Sequence, residues 1–155
     1  MPGDETVRLS RQQATWDSFA PFIAARAAFF NSLLGWYYSM GIGVARSDGI
    51  AFHWDRLAAA QDQKFAENDL GYFYLNGRGV AKDPGIAALW FRRSAEQGVA
   101  VAEWRLGMLY IEGNGVPLDC MRGISLVERA AAAGEARAKR SLHDRAGFGA
   151  CPLRQ

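Results

Sequence analysis

The stretch LGYFYLNGRGVAKDPGIAALWFRRSAEQGVAVAEWR, Leu70 to Arg105, decides the architecture. Its opening Leu-Gly returns at Leu106-Gly107 and stands earlier at Leu34-Gly35, at a constant spacing of 36 residues. A fixed period of this length marks a tandem array of supersecondary units before any other feature is weighed.

Working outward column by column, each Leu-Gly pair is followed by a tyrosine: Tyr38, Tyr74 and Tyr110. Leucine and tyrosine at i and i+4 share a helical face. A glycine inside that helix costs about 1 kcal/mol against alanine, so three in register call for close approach of a second helix. The first helix of each unit then stops at a glycine pair, Gly41 and Gly43, Gly77 and Gly79, or Gly113 and Gly115. Glycine supplies the left-handed conformation that ends a helix. Ser47, Asp83 and Asp119 occupy the next column and can each cap a second helix, with Pro84 well placed as its first residue. Ala51, Ala87 and Gly123 keep that helix small where it faces the first, and Trp54, Trp90 and Leu126 follow. Asp62, Gly98 and Gly134 end the second helices, aspartate being able to visit the left-handed region. Ala66, Ala102 and Ala138 begin the next ones. No alternation of period two is long enough to require a strand.

The ends of the array are degenerate. Residues 1–12 read as a loose polar start, Gln13 to Ala20 as a short helix presenting Trp16 and Phe19, and Pro21 as the first turn of a helix running to Met40. A fourth copy begins at Leu142 and fails at once, so Glu135 to Ala146 reads as a capping helix with Arg137, Lys139, Arg140 and Arg145 toward solvent. The expected organisation is a polar segment and cap over 1–27, the repeats over 28–146 (units near 30–65, 66–101 and 102–137, then the cap), and an irregular tail over 147–155.

Composition bounds the function. Half the residues are apolar and 22% are charged, which suits a folded protein and not a disordered one. A net charge of +2 gives no strong electrostatic argument for nucleic acid. Cys120 and Cys151 are too few for a disulfide framework; they could pair in an oxidising compartment, but two reduced thiols in a cytoplasmic protein is the simpler reading. The first twenty residues form no secretory signal, although a periplasmic or envelope location follows if a leader precedes them. Ala20 to Met40 is long enough to span a bilayer, yet Arg26, Asn31 and Ser32 interrupt it, so a buried helix is expected.

These columns resemble the Sel-one-like repeat family, helical hairpins related to the tetratricopeptide repeats. The matching motifs are GRGVAKD at 77–83, Trp90-Phe91, SAEQG at 94–98, and LGMLYIEGNGVPLD at 106–119. The likeness extends over Ala28 to Ala146, with Ser47 and Asp62 departing from the usual Asp and Gly. It implies an all-α, right-handed α/α solenoid of about three 36-residue hairpins with degenerate helical caps at both ends. It also implies a bacterial adaptor or scaffold without shared catalytic residues.

The residues agree that no enzyme is encoded. No glycine-rich phosphate loop follows a strand. His53 and His143 lack partners at metal-ligand spacing, and Ser94 and Ser125 lie in helices without a base. No cofactor, metal, nucleic acid or small-molecule substrate is expected. In arrays of this type the first helices line the concave surface. Phe29 and Trp36 from the first copy, Phe65, Asn68, Tyr72, Leu75 and Asn76 from the second, and Trp104, Met108, Ile111 and Glu112 from the third would then form one stripe. Aromatic side chains beside amides suit a groove for a protein or peptide segment. The alternative reading is an envelope- or membrane-associated accessory protein anchored by the apolar helix 20–40.

Overall fold

The computed structural model describes residues 26–144 together with Phe148 and Cys151. The expected helix over 13–20, the turn at Pro21 and most of the terminal tail lie outside the described residues. Within them are seven helices and no strand: α1 over 26–40, α2 (Asp48–Ala59), α3 (Lys64–Asn76), α4 (Pro84–Glu96), α5 (Ala100–Glu112), α6 (Cys120–Ala132) and α7 (Ala136–Asp144). α3 packs chiefly on α4 and α5 on α6, and α4 packs on α5 across the junction between units. The architecture is an all-α repeat solenoid.

Local chemistry explains the boundaries. Ser47, Asp83 and Asp119 take extended or near-extended backbone, and each accepts the N–H three residues on: Ile50 (3.3 Å), Ile86 (2.9 Å) and Arg122 (3.0 Å). Such a cap contributes about 1 kcal/mol. The same three residues donate their own N–H to the carbonyls of Tyr38, Tyr74 and Tyr110, fastening each second helix to its first. Asp62 has φ 56°, the conformation Gly98 and Gly134 adopt at the same place. The first helices begin two residues before the alanine column, at Lys64, Ala100 and Ala136. Gln63 caps α3 by accepting from Phe65 and Ala66.

The helical glycines sit where two helices touch. A Cβ added at Gly71 would lie 2.5 Å from the ring of Phe91, and one at Gly107 would lie 2.8 Å from the carbonyl oxygen of Gly123 and 2.9 Å from Val127. Phe91 and Val127 are fully buried. Burying such a side chain contributes about 2–3 kcal/mol, which exceeds the helical cost of the glycine. A second column reinforces the second and third hairpins: buried Glu67 and Glu103 face Arg93 and Arg129. Gln97 Nε2 also donates to Glu67 (2.7 Å).

Stacking of one unit on the next uses the second glycine of each pair. Gly79 rests on the backbone of Asp48 and Gly49 at the start of α2, and Gly115 on Pro84 and Gly85 at the start of α4. These are the same positions one period apart. Arg78 reinforces the first contact by donating from Nε (3.0 Å) and Nη2 to the Asp48 carboxylate. That guanidinium hydrogen bond holds the Asp48 carboxyl below its usual range, against the opposing effect of burial.

Two expectations need correction. The helix containing 26–40 is not a buried helix. Phe29, Phe30, Trp36 and Met40 are exposed, Met40 by 60%, because its second-helix neighbour covers only the side carrying Gly35. Nor are the cysteines reduced. Cys120 and Cys151 form a disulfide across a separation of 31 residues, with Phe148 and Cys151 returning over Ile111, Ile124 and Val127. Closing a loop of that length contributes about 4 kcal/mol by restricting the unfolded chain. The double variant Cys120→Ser/Cys151→Ser is expected to lose about that much in urea unfolding. A reducing agent should lower the parent's stability equally and leave the variant unchanged.

Candidate functional site

The first helices bring their free faces to one side, and two cavities open along it. One, of about 310 Å³, is lined by Tyr72, Leu75 and Asn76 of α3, Trp104, Arg105, Met108, Leu109 and Glu112 of α5, then Asn114 and Arg137. The other, of about 450 Å³, is lined by Trp36, Ser39 and Met40 of α1, Asp55 of α2, Asp69, Tyr72 and Phe73 of α3, then Arg78, Arg105 and Arg137. Tyr72, Arg105 and Arg137 belong to both, so the two read as one groove across three units.

Trp36, Tyr72 and Met108 share one repeat column, and all three line the groove. Of the other stripe residues, Leu75, Asn76, Trp104 and Glu112 also line it. Four do not. Phe29 and Phe65 are exposed (58% and 54%) outside both cavities. Ile111 is buried, because the disulfide-tied tail packs over it and its side chain fills the space beside Gly123. Asn68 is buried and committed internally: it donates to Asp69 (3.1 Å) and accepts from Arg105 Nη1 (2.9 Å). Asn76 donates to the Tyr72 carbonyl (2.8 Å), so one of its amide hydrogens serves the helix.

The groove carries more charge than the stripe implied. The Arg105 guanidinium lies over the Tyr72 ring (5.1 Å) and the Phe91 ring (5.6 Å). Arg137 is exposed, as expected, and its guanidinium also lies over Trp104 (5.6 Å), whose Nε1 donates to Ser141 (3.1 Å). Rings held this way are fixed before any ligand arrives, which limits the entropy lost on binding. At the α1–α2 end stand two carboxylates. Asp55 is 1% exposed and its Oδ1 has no hydrogen-bond partner. Burial, with the charge of Asp69 adding to it, pushes the Asp55 carboxyl up to about 8. Asp69 rises to about 6 through burial, opposed by Arg105 and by the Asn68 hydrogen bond.

The sequence carries a signal for Asp55 in the comparison between units. Its column holds Phe91 and Val127 in the other units, the side chains packed on Gly71 and Gly107. A carboxylate there, against Gly35, breaks an apolar column.

A third cavity, of about 280 Å³, lies on the opposite side between α4 and α6 and includes Arg92, Arg122 and Arg129. Arg92 and Arg122 are engaged there by Tyr110, and Arg129 by Glu103. Among the described residues no group of three or more His, Cys, Asp or Glu could hold a metal, and no helix is long and apolar enough to cross a membrane.

Comparison with known proteins places this geometry. The family model of the Sel1 repeat matches three consecutive segments, residues 31–63, 64–99 and 100–135. A Sel1 repeat protein from Oxalobacter formigenes is 27% identical with a TM-score of 0.72, over 82% of this chain and 52% of its own. A protective antigen with an SLR fold from uropathogenic Escherichia coli is 28% identical with a TM-score of 0.72, over 82% of this chain and 28% of its own. The chain thus spans about half of the first and little more than a quarter of the second. Cysteine rich protein B of Helicobacter pylori, 22% identical with a TM-score of 0.62 over 79% of this chain and 92% of its own, shares the fold. No curated protein sequence matches.

Proposed function

The chain belongs to the Sel1 repeat family, whose members generally mediate protein–protein interaction as non-catalytic scaffolds, and on that premise we propose that it is an adaptor holding a segment of another protein in its concave groove. The observation that carries this reading is the column Trp36, Tyr72 and Met108, one residue from each unit, lining connected cavities that no described element fills. Two cavities of a few hundred cubic ångströms end to end, with aromatic walls and fixed polar groups, suit an extended peptide. Trp104 and Tyr72 supply buried area, and Glu112 and Asn76 set register at the rim.

The disulfide supports an oxidising compartment, the periplasm or the outside, rather than the cytoplasm. Among the described residues nothing supports the alternative of a spanning anchor in helix 20–40.

Peptides enriched from a displayed random library on the folded parent test the reading. Their affinity should fall at least about tenfold in Tyr72→Ala and in Trp104→Ala, equivalent to about 1.4 kcal/mol each. Leu89→Ala, on the exposed side of α4, should bind as the parent does. Undiminished binding to both groove variants, with helical content retained, would sink the proposal.

A further inference from the structure

A carboxylate occupies the innermost wall of the groove at a position that the fold elsewhere fills with an apolar side chain. Asp55 lies against Gly35 as Phe91 lies against Gly71 and Val127 against Gly107. The hairpin therefore has no structural need for an acid there. Asp55 is almost fully buried and lines the cavity of about 450 Å³, and its Oδ1, packed against Gly35, has no hydrogen-bond partner. A buried carboxyl is costly to ionise unless a positive charge pairs with it.

The charges around it are arranged by element. α1 contributes Trp36, Ser39 and Met40 and no charge; α3 contributes Asp69; the turn after α3 contributes Arg78; α5 and α7 contribute Arg105 and Arg137. Arg78 is taken by Asp48, Arg105 is held by Asn68 under the field of Asp69, and Arg137 lies on Trp104. The charge that acts on Asp55 is that of Asp69. The groove is thus acidic at its α2 end and basic at its α5–α7 end.

Building on the groove reading, we propose that Asp55, with Asp69 beside it, receives the ammonium group of a lysine side chain from the docked segment. A lysine fits the chemistry on three counts. Its charge is a compact point carried on a four-carbon stem, able to reach a buried acceptor. Trp36, Met40, Tyr72 and Phe73 offer apolar wall to the methylenes. The ammonium brings a positive charge to a carboxyl group that no guanidinium of the cavity engages, and its arrival moves the Asp55 proton to solvent, leaving a carboxylate–ammonium pair in the site.

The test follows the Asp55 carboxyl carbon by NMR through a pH titration, with n-butylammonium as the lysine stem. Saturating n-butylammonium should lower the Asp55 midpoint by about one pH unit, a tenfold preference for the ionised carboxyl. The neutral isostere n-butanol and the stemless amine glycinamide should leave it in place. In Asp55→Val, backbone shifts induced around the cavity by n-butylammonium should vanish. An Asp55 midpoint unmoved by n-butylammonium overturns the proposal, and an equal response to glycinamide overturns lysine in favour of an amino terminus. Either result leaves the groove itself standing, because the groove is judged by Tyr72→Ala and Trp104→Ala.

Discussion

Gly115→Ala should cost the fold about 5 kcal/mol, while the equivalent Gly43→Ala should cost only about 1–2. Both glycines are left-handed, with φ of 74° and 70°, so the conformational penalty for alanine, about 1–2 kcal/mol, is common to both. They differ in what surrounds them. A Cβ on Gly43 meets nothing within 4 Å, whereas one on Gly115 would stand 2.3 Å from the Pro84 carbonyl carbon and 2.5 Å from the Gly85 nitrogen. Neither is a side chain that can swing aside. Relief requires the third unit to move off the second, and that loosens the packing of α5 on α4. Losses above about 4 kcal/mol are exceptional for one substitution and need a named mechanism of this kind. Urea unfolding of the two variants beside the parent checks it. Equal losses would mean that the second glycine serves the turn alone and not the stacking.

Asp55→Val should raise stability by about 4 kcal/mol at pH 7. The folded state keeps the Asp55 proton up to about 8, while the unfolded chain releases it near its ordinary value of 3.8. A raised carboxyl stabilises the fold fully below 3.8, and that contribution is lost as pH rises until it levels off above about 8. At pH 7 the loss spans roughly three pH units at about 1.4 kcal/mol each. Asp69 adds a parallel loss between 3.8 and about 6. The parent should therefore weaken from pH 6 to pH 8 by an amount that Asp55→Val removes. Valine is the residue the third unit buries at this position, so the variant needs no new packing scheme. A variant less stable than the parent at pH 8 would show that Asp55 supports the hairpin instead of straining it.

The fold was legible because its strongest signals are local and repeated. Caps at Ser47, Asp83 and Asp119, left-handed stops at Asp62, Gly98 and Gly134, and small residues at helix contacts each follow from one residue's own chemistry. The features that escaped depend on contacts between distant segments. The glycine pairs read as turns, and only the structure shows Gly79 and Gly115 seated on the preceding unit. The disulfide depends on how the chain returns after α7, and that return also buries Ile111, which helical spacing alone placed in the groove. Asn68 likewise lies on the expected stripe but turns inward to bridge Asp69 and Arg105. Asp55 is readable as the one acid in a column with Phe91 and Val127, but its meaning lies in that comparison between units and not in any paired chemical motif.

On the proposed function, segments dock on the face formed by the first helices. A photoreactive benzoylphenylalanine in place of Tyr72, compared with the same group in place of Leu89 on α4, tests it directly with one library-selected peptide and mass mapping of the products. The predicted result is a covalent adduct from position 72 and none from position 89. An adduct from 89, or the same peptide binding while 72 yields none, would contradict it.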